Sequence, residues 1–269
     1  DLRYYHLVLL AENNQGYANL MKIVSKSFVE GFYYKPRVDL QLLEKYHEGL
    51  IALSACLAGE VARYLTRGMY EDAKAAALRY QDIFGKGNFF LELQDHGIPE
   101  QQNVNQQLLK MHRETGIELV ATNDVHYTLA EDAQPHDVLL CLQTGKKLSD
   151  ENRMRYDGGQ YYVKSPEEME RLFPYATEAL ENTHKIAQRC HVEIEFGVTK
   201  LPKFDVPQGY TSWEYLNELC FKGLEERYQP VTEELKERLN YELSTIKNMG
   251  YVDYFLIVWD FIRYARDHD

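Results

Sequence analysis

The sequence predicts an α/β fold: a mostly parallel sheet with helices packed outside it, in an order compatible with barrel closure, followed by an all-helical stretch. Three observations carry that prediction. Short apolar runs of strand length stand at Leu7–Leu10, Leu50–Ala55, Phe89–Leu93 and Leu119–Ala121. Segments with helical spacing of apolar residues separate them, and strand–helix–strand order favours parallel pairing. From Thr211 onward only helical patterns remain.

In chain order, Leu20, Met21, Val24 and Phe28 mark a helix over about 15–29, and Gly31 follows it. Pro36 punctuates, and a short helix from about Leu40 ends near Gly49. The second strand, Leu50–Ala55, ends at Cys56. Helical patterns follow at 60–67 and 71–84; in the latter Ala73, Ala76, Ala77, Tyr80 and Phe84 form one stripe that Gly85 stops. The third strand runs out into Gln94, Asp95, His96 and Gly97. Pro99 then opens a helix through Thr115, where its missing N–H costs nothing. The fourth strand leads to a helix at about 130–143, interrupted by Pro135.

After Gly145 the character changes. Residues 146–159 are polar and turn-rich and read as a loop. Lys146, Lys147, Arg153 and Arg155 make it the densest basic group in the chain, a weak candidate for DNA-phosphate contact, although acidic neighbours favour a solvated loop. Ser165–Pro166–Glu167–Glu168 combines an N-cap serine, a first-position proline and a glutamate three after the cap. Helices follow to Phe173 and over 176–190. Residues 192–204 read as extended, with Pro202 and Pro207 in a linker-like stretch, which puts a first domain at 1–200 and a helical region at 201–269. There Thr211 and Glu214 form a second capping box, and Leu235, Leu239, Leu243 and Ile246 share one stripe. Residues 254–265 are apolar almost all round, as expected of a helix buried in a larger body.

Composition narrows the function classes. The 269 residues are 45% hydrophobic and 27% charged, as in an ordinary globular protein. A formal net charge of −12 repels phosphate backbones, so nucleic-acid contact requires a local basic patch. Cys56, Cys141, Cys190 and Cys220 are far apart, with no C-x-x-C pair, which argues against a zinc ribbon or a disulfide framework and fits a reducing cytoplasm. No apolar run approaches the roughly 20 residues of a membrane helix, so no membrane association is expected. Both ends read as cuts through a longer chain.

The candidate chemistry sits where apolar strands stop. Leu50–Ala55 delivers Cys56; Phe89–Leu93 delivers Glu92, Asp95 and His96; the run LVATNDVHY delivers Asp124 and His126; His6 opens the first segment. If the chain stays extended through Asn123–His126, Asp124 and His126 point the same way. In α/β sheets the carboxyl ends of strands are where ligands collect. Thiolate, imidazole and carboxylate donors at one mouth suit zinc, or manganese where carboxylates dominate, and such a site suits phosphoester hydrolysis. The bland alternatives are a buried cysteine, a turn-capping Asp124 and surface histidines, among them His112, His136 and His184.

HLVLLAENNQGYANLMKIVSKSFVEGFYYKPRVD, LIALSACLAGEVA, FFLELQDHGIPEQ, LVATNDVHY and GYVDYFLIVWDFIRYARD, in that order, resemble the bacterial DNA polymerase III alpha subunits, the replicative C-family polymerases. The resemblance implies a distorted (β/α) barrel of polymerase-and-histidinol-phosphatase (PHP) type, incomplete here, then helices entering the polymerase palm. It makes His6, Cys56, Asp124 and His126 metal ligands of a site holding zinc or manganese, up to three ions in the full-length protein; Glu92, Asp95 and His96, from the end of the third strand, are the candidates to stand behind them. It also implies a DNA-directed DNA polymerase whose magnesium-binding catalytic carboxylates lie outside this chain. Its substrates would be primer–template DNA and deoxynucleoside triphosphates, and its partners a sliding clamp, a clamp loader and a proofreading subunit. The PHP segment would then be a 3′–5′ exonuclease or a non-catalytic scaffold.

Overall fold

The four apolar runs form one sheet in the computed structural model, which describes residues 4–198 and 200–268. Its strands are β1 (Val8–Ala11), β2 (Leu50–Leu53), β3 (Phe89–Leu93) and β4 (Leu119–Ala121), hydrogen-bonded in that order. The β2–β3 and β3–β4 pairs are parallel, as alternation predicts, with Leu53 opposite Phe90 and Leu93 opposite Ala121. β1 is antiparallel to β2, with Val8 opposite Leu53 and Ala11 opposite Leu50. The turn out of β1 therefore meets the start of β2. A Cβ on Gly16 would lie 1.8 Å from the Gly49 carbonyl oxygen, so backbone approaches backbone where only glycine fits.

Both faces of the sheet are covered, which is why its strands are continuous apolar runs. Leu50 and Ala52 of β2 face one core with Leu91, Leu93, Leu119 and Ala121, whereas Ile51 and Leu53 face another with Phe90, Val120 and Ile186. The helices are α1 (Asn14–Val29), α2 (Leu40–Tyr46), α3 (Glu60–Thr66), α4 (Tyr70–Phe84), α5 (Pro99–Thr115), α6 (Ala133–Thr144), α7 (Pro166–Leu172) and α8 (Thr177–Arg189). The capping box predicted at Ser165 is present, its hydroxyl accepting from Glu168 N while Glu168 accepts from Ser165 N at 2.8 Å. Pro135 lies in the first turn of α6, after a 3-10 turn at Ala130–Asp132, so no helical hydrogen bond is broken.

The sheet of the described residues is open, with β1 and β4 at its two edges, so it does not close into a barrel. Four strands are too few to bring edge to edge, given that closure takes about eight in the smallest common barrels. Of the stripe that marked α1 only Leu20 packs against the core: Met21 (49% exposed), Val24 and Phe28 point to solvent, while Ile23 (2%) lies in the core with Asn19 and Ser27 on the same side.

The chain divides into two compact units, Asp1–Ile194 and Glu195–Asp269. The second contains α9 (Ser212–Arg227), α10 (Glu233–Asn248) and α11 (Val252–Asp267) around Leu216, Leu243 and Leu256. Thr211 caps α9 with Glu214 as predicted, and Asp253 accepts from Phe204 N at 2.9 Å and from Ser212 Oγ at 2.8 Å. Of α11 only Leu256 is buried; Tyr254, Phe255, Phe261 and Ile262 are exposed in this chain. No helix among the described residues is long and apolar enough to cross a membrane.

Candidate functional site

Parallel pairing puts the carboxyl ends of β2, β3 and β4 at one edge of the sheet, and antiparallel β1 begins at that same edge. His6 consequently lies beside the turn that follows β2. It bridges to Gly59, and its amide donates to the Ala58 carbonyl at 3.1 Å. The turn is tight: Ala55 adopts a left-handed φ of 64°, and Gly59 N donates to the Cys56 carbonyl at 2.8 Å. A Cβ on Gly59 would lie 2.1 Å from the Ser54 carbonyl oxygen. Cys56 Sγ is thereby held 3.6 Å from His6 Nδ1. Burial pushes the Cys56 thiol up; the Ala58 amide pulls it back, and the Asp124 and Glu92 carboxylates push it further up.

Asp124 reaches this cluster by a route other than continued extension. β4 ends at Ala121, and Asp124 has a left-handed φ of 42°, so the alternation assumed for Asn123–His126 fails. Ala55 and Asp124 are two of the three non-glycine residues with positive φ among those described, and both stand just past the end of a strand at this edge. Such outliers persist where surrounding structure over-determines them. Here Asn123 supplies the determination. Its carbonyl accepts from His96 Nε2 at 2.8 Å, its Oδ1 accepts from Lys164 Nζ at 3.1 Å, and its Nδ2 donates to the Tyr162 carbonyl. His126 turns back, Nδ1 lying 2.8 Å from the Asp124 carbonyl oxygen, and its amide donates to Tyr161 at 2.8 Å.

The three residues placed behind the site have distinct roles. His96 is 3% exposed, with Nδ1 3.0 Å from Gln101 Nε2 and Nε2 on Asn123; it orients the Asp124 loop. Asp95 accepts from Gly97 N at 2.9 Å, closing a turn. Glu92 is 6% exposed; its Oε1 accepts from Thr122 Oγ1 and from Gln94 Nε2 at 3.1 Å, while Oε2 is buried without a partner. Burial raises its pKa, the Thr122 and Gln94 hydrogen bonds lower it, and Asp124 adds to the rise.

Sequence spacing missed an aromatic wall. Tyr156 has its ring centroid 4.3 Å from that of His126, 4.9 Å from Tyr161 and 5.3 Å from His136. His136, read as a surface histidine, lies 5.9 Å from His126. Tyr156 sits in the loop read as solvated, and His136 on a helix; no local signal joins them to His126. Burial raises the Tyr156 phenol, and the charges of Asp124 and Cys56 raise it further.

The basic group of the same loop divides. The Arg153 side chain is 2% exposed and forks onto Asp137, Nη1 to Oδ1 at 2.6 Å and Nη2 to Oδ2 at 2.7 Å, so it serves the protein rather than a phosphate. Arg155 lies 3.6 Å from Asp157, whereas Lys146 and Lys147 are exposed.

The donor chemistry was weighed against a metal ion. Two ligands of one tetrahedral zinc, at about 2.1 Å for nitrogen and 2.3 Å for sulfur, stand roughly 3.6 Å apart. The His6–Cys56 separation of 3.6 Å fits that pair. Among the described residues no three His, Cys, Asp or Glu side chains stand close enough to hold an ion. The side chains of Asp124 and His126 therefore do not complete a shell with the His6–Cys56 pair.

The family comparisons agree with this architecture. Residues 1–96 match the PHP domain, and residues 214–269 match the bacterial DNA polymerase III alpha NTPase domain. The chain is 47% identical over 268 residues to the DNA polymerase III subunit alpha of Treponema pallidum, covering 99% of this chain and 23% of that protein. It is 49% identical over 267 residues to that of Borreliella burgdorferi (98% and 23%), and 38% identical over 328 residues to that of Thermus aquaticus (100% and 27%). The chain thus spans about a quarter of the length of these relatives. With a PHP domain match, a polymerase alpha match and whole-chain identity to these subunits, it belongs to the DNA polymerase III alpha subunit family, as a segment of such a chain.

Proposed function

We propose that this segment belongs to a replicative DNA-directed DNA polymerase, which adds deoxynucleoside monophosphates from deoxynucleoside triphosphates to a primer on template DNA. In the cell it would work in the cytoplasm with a sliding clamp, a clamp loader and a proofreading subunit. The magnesium-binding carboxylates of polymerisation lie outside the segment. The open sheet would be part of a PHP-type barrel that other residues of the full-length subunit complete. Within the segment, His6 and Cys56 would hold a zinc or manganese ion, with Asp124 and His126 joining them, and the full site would take up to three ions. A divalent cation bound there supplies a water of lowered pKa and screens a phosphoester's charge. This chain's residues contribute the rest: His96 and Lys164 fix Asn123 and so aim Asp124, whose charge acts on Cys56. The chemistry would be 3′–5′ phosphodiester hydrolysis. The observation that carries this reading is the Cys56–His6 separation at the edge where the Asp124 charge is felt.

A second reading has its own support. Since no three donors converge among the described residues, the domain could act as a scaffold that steadies the polymerase and docks the proofreading subunit. Metal would then contribute only stability, by binding the folded state. Metal analysis and exonuclease assays on full-length Asp124→Asn separate the two. Hydrolysis predicts loss of metal together with manganese- or zinc-dependent exonuclease. The scaffold predicts a lower melting temperature after chelation and no exonuclease to lose. Unchanged metal content in Asp124→Asn refutes the metal reading altogether.

A further inference from the structure

We propose that a single water molecule binds in the small cavity lined by Cys56, Glu92 and Gln94, donating one O–H to Glu92 Oε2 and the other to Gln94 Oε1. The site needs no cation and stands apart from the phosphoester reading.

Two buried acceptors without donors lead to it. Glu92 is 6% exposed and Gln94 7%, and among the described residues neither Glu92 Oε2 nor Gln94 Oε1 has a hydrogen-bond partner. Both residues line one cavity of about 10 Å³, the threshold for holding one water. The turn that bears Cys56 and the first two turns of α5 supply most of the remaining lining.

The neighbouring side-chain donors are engaged elsewhere. Gln94 Nε2 donates to Glu92 Oε1 at 3.1 Å and to Thr122 Oγ1 at 3.2 Å. Those two bonds also fix the amide, because turning it over would set its oxygen against the Glu92 carboxylate, acceptor against acceptor. Gln101 Nε2 lies 3.0 Å from His96 Nδ1, and Asn105 Nδ2 donates to the Gln94 carbonyl at 2.9 Å.

Chemistry and size decide what the cavity takes. A buried acceptor without a donor gives up the hydrogen bonds it had in solvent, so a ligand bringing two donors is favoured. Water brings two and fits the space. A calcium or magnesium ion takes about six oxygen ligands, and two unpartnered oxygens fall short of that. The water would solvate the Glu92 carboxylate inside the fold, close to the Cys56 thiol on which its charge acts.

The test is a crystal structure of the full-length subunit at neutral pH, at a resolution that shows ordered water, solved alongside Gln94→Met. Wild type is expected to show one density peak at about 2.6–3.2 Å from both Glu92 Oε2 and Gln94 Oε1. Gln94→Met keeps the length of the side chain and removes one of the two acceptors, so the peak is expected to disappear. Direct contact of Glu92 Oε2 with Gln94 Oε1, with no peak between them, overturns the inference, because a protonated Glu92 then donates to the amide itself. A peak ringed by about six oxygens is a cation and overturns it too. So does a peak that persists in Gln94→Met, which is water held by other groups. Should Gln94→Met not fold, the wild-type density decides alone: a peak bonded to both oxygens supports the inference, and density without one overturns it.

Discussion

Cys56 Sγ lies 3.6 Å from His6 Nδ1, across fifty residues of chain, because β1 runs antiparallel to β2. Reversed pairing puts the start of one strand beside the end of the other. In a parallel pair the start of β1 would face the start of β2, and His6 would lie a strand's length from the thiol. The direction of one edge strand thus decides whether the imidazole and the sulfur can share a cation. The turn that completes the contact depends on Gly59.

Gly59→Ala is expected to destabilise the protein by about 1–3 kcal/mol, the range for forcing atoms into filled space. The backbone at Gly59 has φ −69°, which alanine adopts freely, so the effect would come from the Cβ meeting the Ser54 carbonyl oxygen at 2.1 Å. Denaturant unfolding measures the loss. The same variant should change the rate at which Cys56 reacts with a thiol reagent.

Ile23→Ala and Met21→Ala test which face of α1 is buried. Ile23 is 2% exposed, so its truncation should cost about 2–5 kcal/mol. Met21 is 49% exposed, and its truncation should stay within about 0.5 kcal/mol. Equal losses in denaturant unfolding would contradict the packing of this helix.

The Arg153–Asp137 clamp should be sensitive to acid. The Arg153 hydrogen bonds hold the Asp137 carboxyl below its ordinary 3.8, so folding gains from the ionised form. That gain is present above the ordinary value and lost as pH falls through the depressed one. Protection against hydrogen exchange over residues 146–159, measured relative to the intrinsic rate at each pH, should therefore fall below about pH 4. Arg153→Met should show the reduced protection already at neutral pH.

Glu92 has the opposite sign. Its pKa is raised from 4.5 by burial, so its stabilising contribution is full below 4.5 and is lost as pH rises through the raised folded value. Glu92→Gln lacks this loss, and its stability relative to wild type should rise between pH 4 and pH 7. Thr122→Val removes a hydrogen bond to the buried carboxylate and should cost about 1–3 kcal/mol at pH 7 and less at pH 4. Unfolding curves at both values check the pair.

Much of the local structure was legible because it depends on neighbours in sequence. The helix starts at Ser165 and Thr211 are set by side chains three residues from the caps they bond, and both are present. The alanine stripe of α4 is its buried face, since Ala73, Ala76 and Ala77 leave room for close packing. Alternation of strands and helices also predicted the two parallel pairings correctly. It could not carry the direction of β1. Two helices separate β1 from β2, and two separate β2 from β3, yet the first pair is antiparallel and the second parallel. For α1 the spacing located the helix but not its inward face, because α1 has apolar residues on two sides and only its docking against α2 and the sheet chooses between them.

By itself, the sequence determined that strands form at the apolar runs, that Cys56 and Asp124 follow two of them while Glu92 lies within a third, and which polymerase family the chain resembles. These are short-range properties of composition and spacing. Tertiary structure alone decided that His6 meets Cys56, that Asp124 turns through a left-handed φ of 42°, and that Tyr156 and His136 stand against His126. Each depends on chain segments that become neighbours only when the sheet assembles, and the free energy selecting them belongs to packing among those segments rather than to any one of them.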